Sequence, residues 1–235
     1  MIMLHVEQFR YEADNFAYLI YGKSQALAVD GGAWQEMLAF LKSNGLSLTI
    51  VTNTHGHFDH TSGNEKLLKF TNAEFLSLSE LAEKKEIPID GEKVSVYRTA
   101  GHTADSACFH TGRSLVSGDT LFNGTIGNCF TGDWRSFYHS ILRLMALPDE
   151  TIIYAGHDYV KDSLAFARRL EPDNREIDIF QDSYDYNHVC STMADERRIN
   201  PYLRFNEEPI IRLLKKRGLP CATEWERWQS LMSID

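Results

Sequence analysis

Short blocks of apolar residues, several alternating with polar ones, run through the first two thirds of the chain, and helical spacing takes over after them. Phe16–Tyr21 and Ala26–Asp30 predict two strands on either side of the turn Gly22-Lys23-Ser24. Trp34, Met37, Leu38, Phe40 and Leu41 recur at helical spacing, with Asn44-Gly45 as the stop. Leu46–Thr52, rich in β-branched residues, predicts a buried strand, and Ser62-x-x-Glu65 reads as a capping box opening a helix that carries Leu67 and Leu68. Further strands are expected at Val94–Thr99, Ala107–His110, Ser114–Ser117 and Thr151–Tyr154, and a helix at Phe137–Met145. From about Asp162 the strand signal disappears. Ser163–Leu170, Glu207–Arg217 with Gly218 behind it, and the segment holding Trp225, Trp228 and Leu231 predict helices. The pattern divides the chain into an α/β portion, residues 1–161, and a helical region, residues 162–235.

Composition narrows the class. With 235 residues, 43% of them hydrophobic and 11% aromatic, the chain can build a full core, and disorder is excluded. A net charge of −9 argues against a nucleic-acid binder that works by neutralising phosphates. No apolar run is long enough to cross a bilayer, and no basic segment precedes an apolar one at the N-terminus, so neither a membrane partner nor a signal peptide is expected. Cys108, Cys129, Cys190 and Cys221 are widely spaced and form no C-x-x-C, which predicts reduced thiols in the cytoplasm. The sequence says nothing of oligomeric state.

The decisive chemistry sits in Thr54-His55-Gly56-His57-Phe58-Asp59-His60, a loop between a predicted strand and a predicted helix. His55 and His57 alternate, so in extended backbone their side chains share a direction, and Asp59 and His60 can serve a second position after a bend. Imidazole with carboxylate suits zinc, iron or manganese, and the absence of nearby cysteines disfavours a closed structural zinc site. Gly101-His102-Thr103, Gly118-Asp119-Thr120 and Gly156-His157-Asp158 each follow a strand-like segment and put one more ligand type beside a glycine. Together these residues make seven candidate ligands. Asp30-Gly31-Gly32 is either a turn or a support for the metal loop, and Asp105 either a solvated turn residue or a partner of His102. His5, His110, His139 and His188 lack ligand context, and Trp225 and Trp228 read as packing residues.

The order H-x-H-x-D-H, then a lone His, a lone Asp and a lone His, resembles the metallo-β-lactamase superfamily. The resemblance tightens to its glyoxalase II (hydroxyacylglutathione hydrolase) branch at Thr54–Glu65, at Ser117–Phe122 (SGDTLF), at Gly156–Asn174 and at Ser191–Arg204 (STMADERRINPYLR). It implies a four-layer αββα sandwich with a small C-terminal helical region for substrate binding. It implies two divalent cations, zinc foremost: one on His55, His57 and His102, the other on Asp59, His60 and His157, with Asp119 bridging them. Asp59 and Asp119 then serve catalysis, and a hydroxide shared by the cations cleaves an acyl-thiol substrate such as S-lactoylglutathione.

The likeness thins at the substrate. Asn128 stands where that family carries a lysine for glutathione, Phe130 lacks a tyrosine's hydroxyl, Tyr159 matches the family tyrosine, and Arg227 keeps the first member of a basic pair whose second position is Ser230. Tyr138-His139-Ser140-Ile141 and Leu147-Pro148 also resemble the persulfide dioxygenases of the same superfamily, which use one iron on residues matching His55, His102 and Asp119. Another hydrolase of this fold, acting on lactones or other acyl thiols, is the remaining alternative.

Overall fold

The computed structural model describes residues 3–234. Its first half contains β1 (His5–Tyr11), β2 (Asn15–Tyr21), β3 (Gln25–Val29), α1 (Trp34–Asn44), β4 (Ser47–Thr52), α2 (Phe58–Thr61), α3 (Asn64–Phe70), β5 (Glu74–Phe75) and α4 (Leu78–Glu83). There follow β6 (Glu86–Ile89), β7 (Glu92–Arg98), β8 (Ala107–Thr111), β9 (Ser114–Gly118), α5 (Trp134–Met145) and β10 (Ile152–Ala155). The remainder comprises α6 (Val160–Leu170), α7 (Glu176–Ser183), β11 (Ser191–Thr192), α8 (Met193–Ile199), α9 (Glu208–Lys216) and α10 (Glu224–Met232).

Two mixed sheets result, ordered β1-β2-β3-β4-β5 and β11-β10-β9-β8-β7-β6. Only β3–β4, β4–β5 and β9–β10 pair in parallel. Alternation along single strands shows how the sheets are layered. In β2, Phe16, Tyr18 and Ile20 join one apolar cluster with Val94, Val96, Phe109 and Val116 of the other sheet. Ala17 and Leu19, on the opposite face, join Met37 and Leu41 of α1. In the second sheet Cys108, Leu115 and Ile153 turn outward onto Phe137, Ile141 and Leu144 of α5 and onto Ile210, Trp228 and Leu231 of the tail. The three clusters are the three contacts of a four-layer αββα sandwich. The tail helices share the outer core of the second sheet, and Leu164 and Ala167 of α6 join the core between the sheets. Trp228 is fully buried and packs edge-on to Phe137.

Two expectations need correction. Ser62 does not cap α3: it lies in right-handed helical backbone at the end of α2, and the N-cap is Gly63, with no side-chain cap. A capping side chain reaches the first free amides from non-helical backbone, most often extended. Reciprocal capping boxes form instead at Ser77/Glu80, Thr192/Asp195 and Thr223/Glu226. The tail is also not wholly helical, since Ser191–Thr192 pairs with Ile152–Ile153 of β10. Two residues are too short to show a strand's period.

Candidate metal centre

All seven predicted ligands meet at one end of the sandwich. β4 ends at Thr52 and delivers His55 to His60, β7 leads to His102, β9 to Asp119 and β10 to His157. The ligand atoms fall into two groups, His55, His57, His102 and Asp119 in one, and Asp59, His60 and His157 in the other. In the first, His57 Nδ1 is 2.8 Å from His55 Nε2 and 3.2 Å from His102 Nε2, which lies 3.4 Å from Asp119 Oδ2. In the second, His60 Nε2 is 3.2 Å from His157 Nε2 and 3.5 Å from Asp59 Oδ2. Ligand atoms around a four-coordinate cation with bonds of about 2.0–2.2 Å stand about 3.3–3.6 Å apart, so the spacing suits one cation per group. Asp119 reaches both groups, its Oδ1 lying 3.4 Å from His60 Nε2 and its Oδ2 3.5 Å from His157 Nε2.

The outward ring nitrogens fix the tautomers. His60 Nδ1 faces Asp30 Oδ2 at 2.9 Å, His157 Nδ1 faces Asp14 Oδ1 at 3.0 Å, and His102 Nδ1 faces the Asn128 carbonyl at 3.0 Å. The Thr54 hydroxyl donates to Asp30, so at 3.1 Å it accepts from His55 Nδ1. Each of these four rings therefore carries its proton outward and turns an Nε2 lone pair inward, toward other lone pairs and carboxylates. Asp119 Oδ1 is buried with no hydrogen-bond donor. Such an array of acceptors suits a cation. Burial pushes His55 down to about 4, which favours the neutral ligating form. Burial also acts on His60, yet the Asp30 and Asp119 carboxylates raise it, so a cation bound there would take the place of a proton on Nε2. Burial opposes ionisation of Asp119 too, but His157 and His60 hold its carboxyl far below the usual range.

The scaffold around the ligands explains the glycines. Gly118 has φ +50°, and a Cβ there would meet the Thr54 side chain at 2.5 Å; a Cβ on Gly156 would sit 2.1 Å from Asp119 Oδ1. Asp30, wholly buried, accepts from the Thr54 amide and hydroxyl and holds His60, so it does support the metal loop. Asp30→Asn is expected to weaken metal retention about 10–100-fold, measured by competition with a chromophoric chelator. Asp105 instead accepts from the Thr103 hydroxyl. Asp14 and Asn15, which sequence reasoning missed, lie in and just after the β1–β2 turn; Asn15 donates to Asp59 Oδ2 at 2.9 Å, and Tyr11 donates to the Asp59 carbonyl. Neither residue belongs to a motif, and only the hairpin brings them to the site.

Of the expected substrate residues, three adjoin the ligands. Tyr159 stacks on His157 at 4.9 Å, Asn128 bonds His102 through its carbonyl, and Phe130, 66% exposed, meets His102 edge-on at 5.1 Å. Arg227 is engaged elsewhere. Its guanidinium donates to Asn206 Oδ1 and to the carbonyls of Cys221 and Ala222, and no described contact joins it to the cluster.

Comparison with known proteins places this geometry. Residues 11–86 and 75–157 match the family model described as Metallo-beta-lactamase superfamily, and residues 158–232 match Hydroxyacylglutathione hydrolase C-terminus. A hydroxyacylglutathione hydrolase of Chromohalobacter salexigens is 32% identical over 225 residues, covering 87% of this chain and 88% of its own. Another, of Maricaulis maris, is 31% identical over 233 residues, covering 90% and 91%. The chain belongs to the metallo-beta-lactamase superfamily, on its hydroxyacylglutathione hydrolase branch. The superfamily fold is also that of ETHE1 from Myxococcus xanthus, at TM-score 0.66 and 24% identity over 96% of this chain and 99% of that one. TTHA1623 in a di-iron-bound form aligns at TM-score 0.57 and 21% identity over 85% of this chain and 100% of that one.

The hydroxyacylglutathione hydrolase C-terminus is wired to the metal loops. Glu196 of α8, wholly buried, accepts from the Gly124 amide, the Ser191 hydroxyl and the Asn200 amide. Burial pushes its carboxyl up to about 7 against those donors. Asn200 also donates to the Thr125 carbonyl, and Arg204 forks onto Glu171 at 2.8 Å through both Nε and Nη2. The loop these contacts brace runs from Asp119 to Asn128, so α8 helps hold both Asp119 and the carbonyl behind His102. No helix of the described residues is long and apolar enough to cross a membrane.

Proposed function

We propose that this chain is a metal-dependent thioesterase that hydrolyses a hydroxyacyl thioester of a small thiol, S-lactoylglutathione being the reference compound, to the free acid and thiol. The observation that carries the reading is the pair of inward-facing ligand groups sharing Asp119, beside a groove that reaches Tyr159. Divalent cations bound there, zinc foremost and iron or manganese also suited to these donors, supply Lewis acidity and make water acidic near neutral pH.

The protein's own groups do the rest. Asp59 is the ligand carboxylate nearer solvent, 37% exposed against 8% for Asp119. With Asn15 fixing its Oδ2, it orients the attacking water and takes up its proton. Asp119 holds the two groups in register. Tyr159, Asn128 and Phe130 line the approach of the acyl thiol, while Arg227 pins the C-terminal helix to the Asn206 segment. No serine or cysteine nucleophile takes part. All four cysteines are free, in keeping with a cytoplasmic site of action. A persulfide dioxygenase using His55, His102 and Asp119 alone would leave Asp59, His60 and His157 without a task.

Elemental analysis with an activity panel tests the reading. About two metal equivalents per chain, cleavage of glutathione or related thioesters, and loss of activity on chelation with recovery on metal return are expected. Less than one equivalent after growth in zinc, iron and manganese would overturn it. Oxygen uptake with glutathione persulfide, and no thioester cleavage, would favour the dioxygenase.

A further inference from the structure

A groove of about 250 Å³ opens beside the metal centre. Its walls include the rings of Phe122, Tyr159 and Phe166 together with Thr125, Asn128 and Asp162. Phe122 meets His157 at 6.1 Å and Tyr159 stacks on it, while the Asn128 backbone reaches His102, so residues that line the groove touch candidate ligands of both groups. No lysine, arginine or histidine lines the groove. Its one formal charge is the exposed Asp162 carboxylate, which has no hydrogen bond or ion pair among the described residues.

The nearest cations do not compensate. A second depression shares Tyr159 and Asp162 with the first and contains Arg10 and Lys161. Arg10 is bound to Asp158 at 2.7 Å, with only 17% of its side chain exposed, and is flanked by the rings of Phe16 and Tyr186. Lys161 lies over Tyr184, and both line this second depression rather than the groove beside the metal centre. Asp14 adds a further carboxylate to that depression. An anionic thiol carrier entering the groove beside the metal centre thus meets an unpaired carboxylate and no cation of the groove's own. A neutral carrier meets aromatic faces and amide groups, and an ammonium meets Asp162.

We propose that Asp162 sets the charge preference of this groove, so that the site takes acyl thioesters on neutral or cationic thiols in preference to anionic ones; this rests on the thioesterase reading above. Asp162 stands at the third position of α6, where its charge also suits the helix dipole, so the test must separate substrate effects from folding.

Steady-state kinetics on three D-lactoyl thioesters does so: glutathione (net anionic), N-acetylcysteamine (neutral) and thiocholine (cationic, and unable to transfer its acyl group to nitrogen). The expected order of kcat/KM is thiocholine and N-acetylcysteamine above glutathione. Asp162→Asn should lower KM for the glutathione ester roughly threefold and Asp162→Lys roughly tenfold, with kcat unchanged and the thiocholine ester affected oppositely. On the wild type, raising ionic strength from about 0.01 to 0.15 M should lower KM for the glutathione ester and raise it for the thiocholine ester. A glutathione KM below that of the neutral ester, insensitive to salt and to both substitutions, overturns the proposal. A uniform fall in kcat on all three esters would show that Asp162 acts through α6, and overturns it too. Absence of turnover on every carrier defeats the thioesterase reading alone. The preference is then read by calorimetry with the S-methyl derivatives of the three thiols on metal-loaded protein, where tighter binding of S-methylglutathione overturns it and weaker binding supports it.

Discussion

Asp119→Ala is expected to abolish thioester turnover while leaving the fold in place. Asp119 is the one ligand whose carboxylate touches histidines of both groups, at 3.4 Å from His102 and His60 and 3.5 Å from His157. Without it, His55, His57 and His102 lose their only anionic partner, and the second group keeps only Asp59 to balance charge. Metal content should fall from about two equivalents to one or fewer, and the rate should drop well beyond the roughly 10–100-fold typical of an outer-shell change. His57→Ala should also silence the enzyme, by opening the first group. Elemental analysis and circular dichroism on the same preparation separate loss of metal from loss of fold. Two retained metals with a near-normal rate in either variant would contradict the assignment.

The largest stability effect is expected at Glu196, far from any ligand in sequence. Glu196→Ala strands three buried donors, the Gly124 amide, the Ser191 hydroxyl and the Asn200 amide. Each orphaned group costs about 1–3 kcal/mol, and loss of one member of a buried charged network about 3–5 kcal/mol. A loss of about 3–5 kcal/mol in urea unfolding is therefore expected, with a melting point lower by roughly 10 °C in a chain of this size. Glu196→Gln, which keeps one acceptor, should fall between. A change below about 1 kcal/mol for the alanine variant would show that water or rearrangement replaces these bonds.

Where local pattern and tertiary demand agree, the fold can be read from sequence. β2, β3, β8 and β9 are strands buried on both faces, and their apolar blocks mark them plainly, as the β-branched run of β4 marks it. β1 escaped because its HVEQFRY is mostly half-buried at a sheet edge, and β6 because Pro88 interrupts a four-residue strand. The false cap at Ser62 has a tertiary cause. The chain runs helically from Phe58 and breaks at Gly63, which lies so close to Gly31 that a Cβ there would sit 1.8 Å from the Gly31 carbonyl oxygen. The ligands were visible because four of them fall within six residues. Their outer partners were not, since Asp14 reaches His157 across 143 positions and the Asn128 carbonyl reaches His102 across 26. A backbone oxygen leaves no residue type to recognise.

Each ligand group draws from both sheets: the loop after β4 belongs to one, and the segments after β7, β9 and β10 to the other. The centre is thus a seam. During synthesis a ribosome releases His55 to His60 nearly a hundred residues before His157, and the brace at Glu196 comes later still. A nascent chain offers four of the seven donors on a loop that has no opposing wall, and a cation caught there has nothing to keep it. The full set of seven donors therefore exists only in the finished fold.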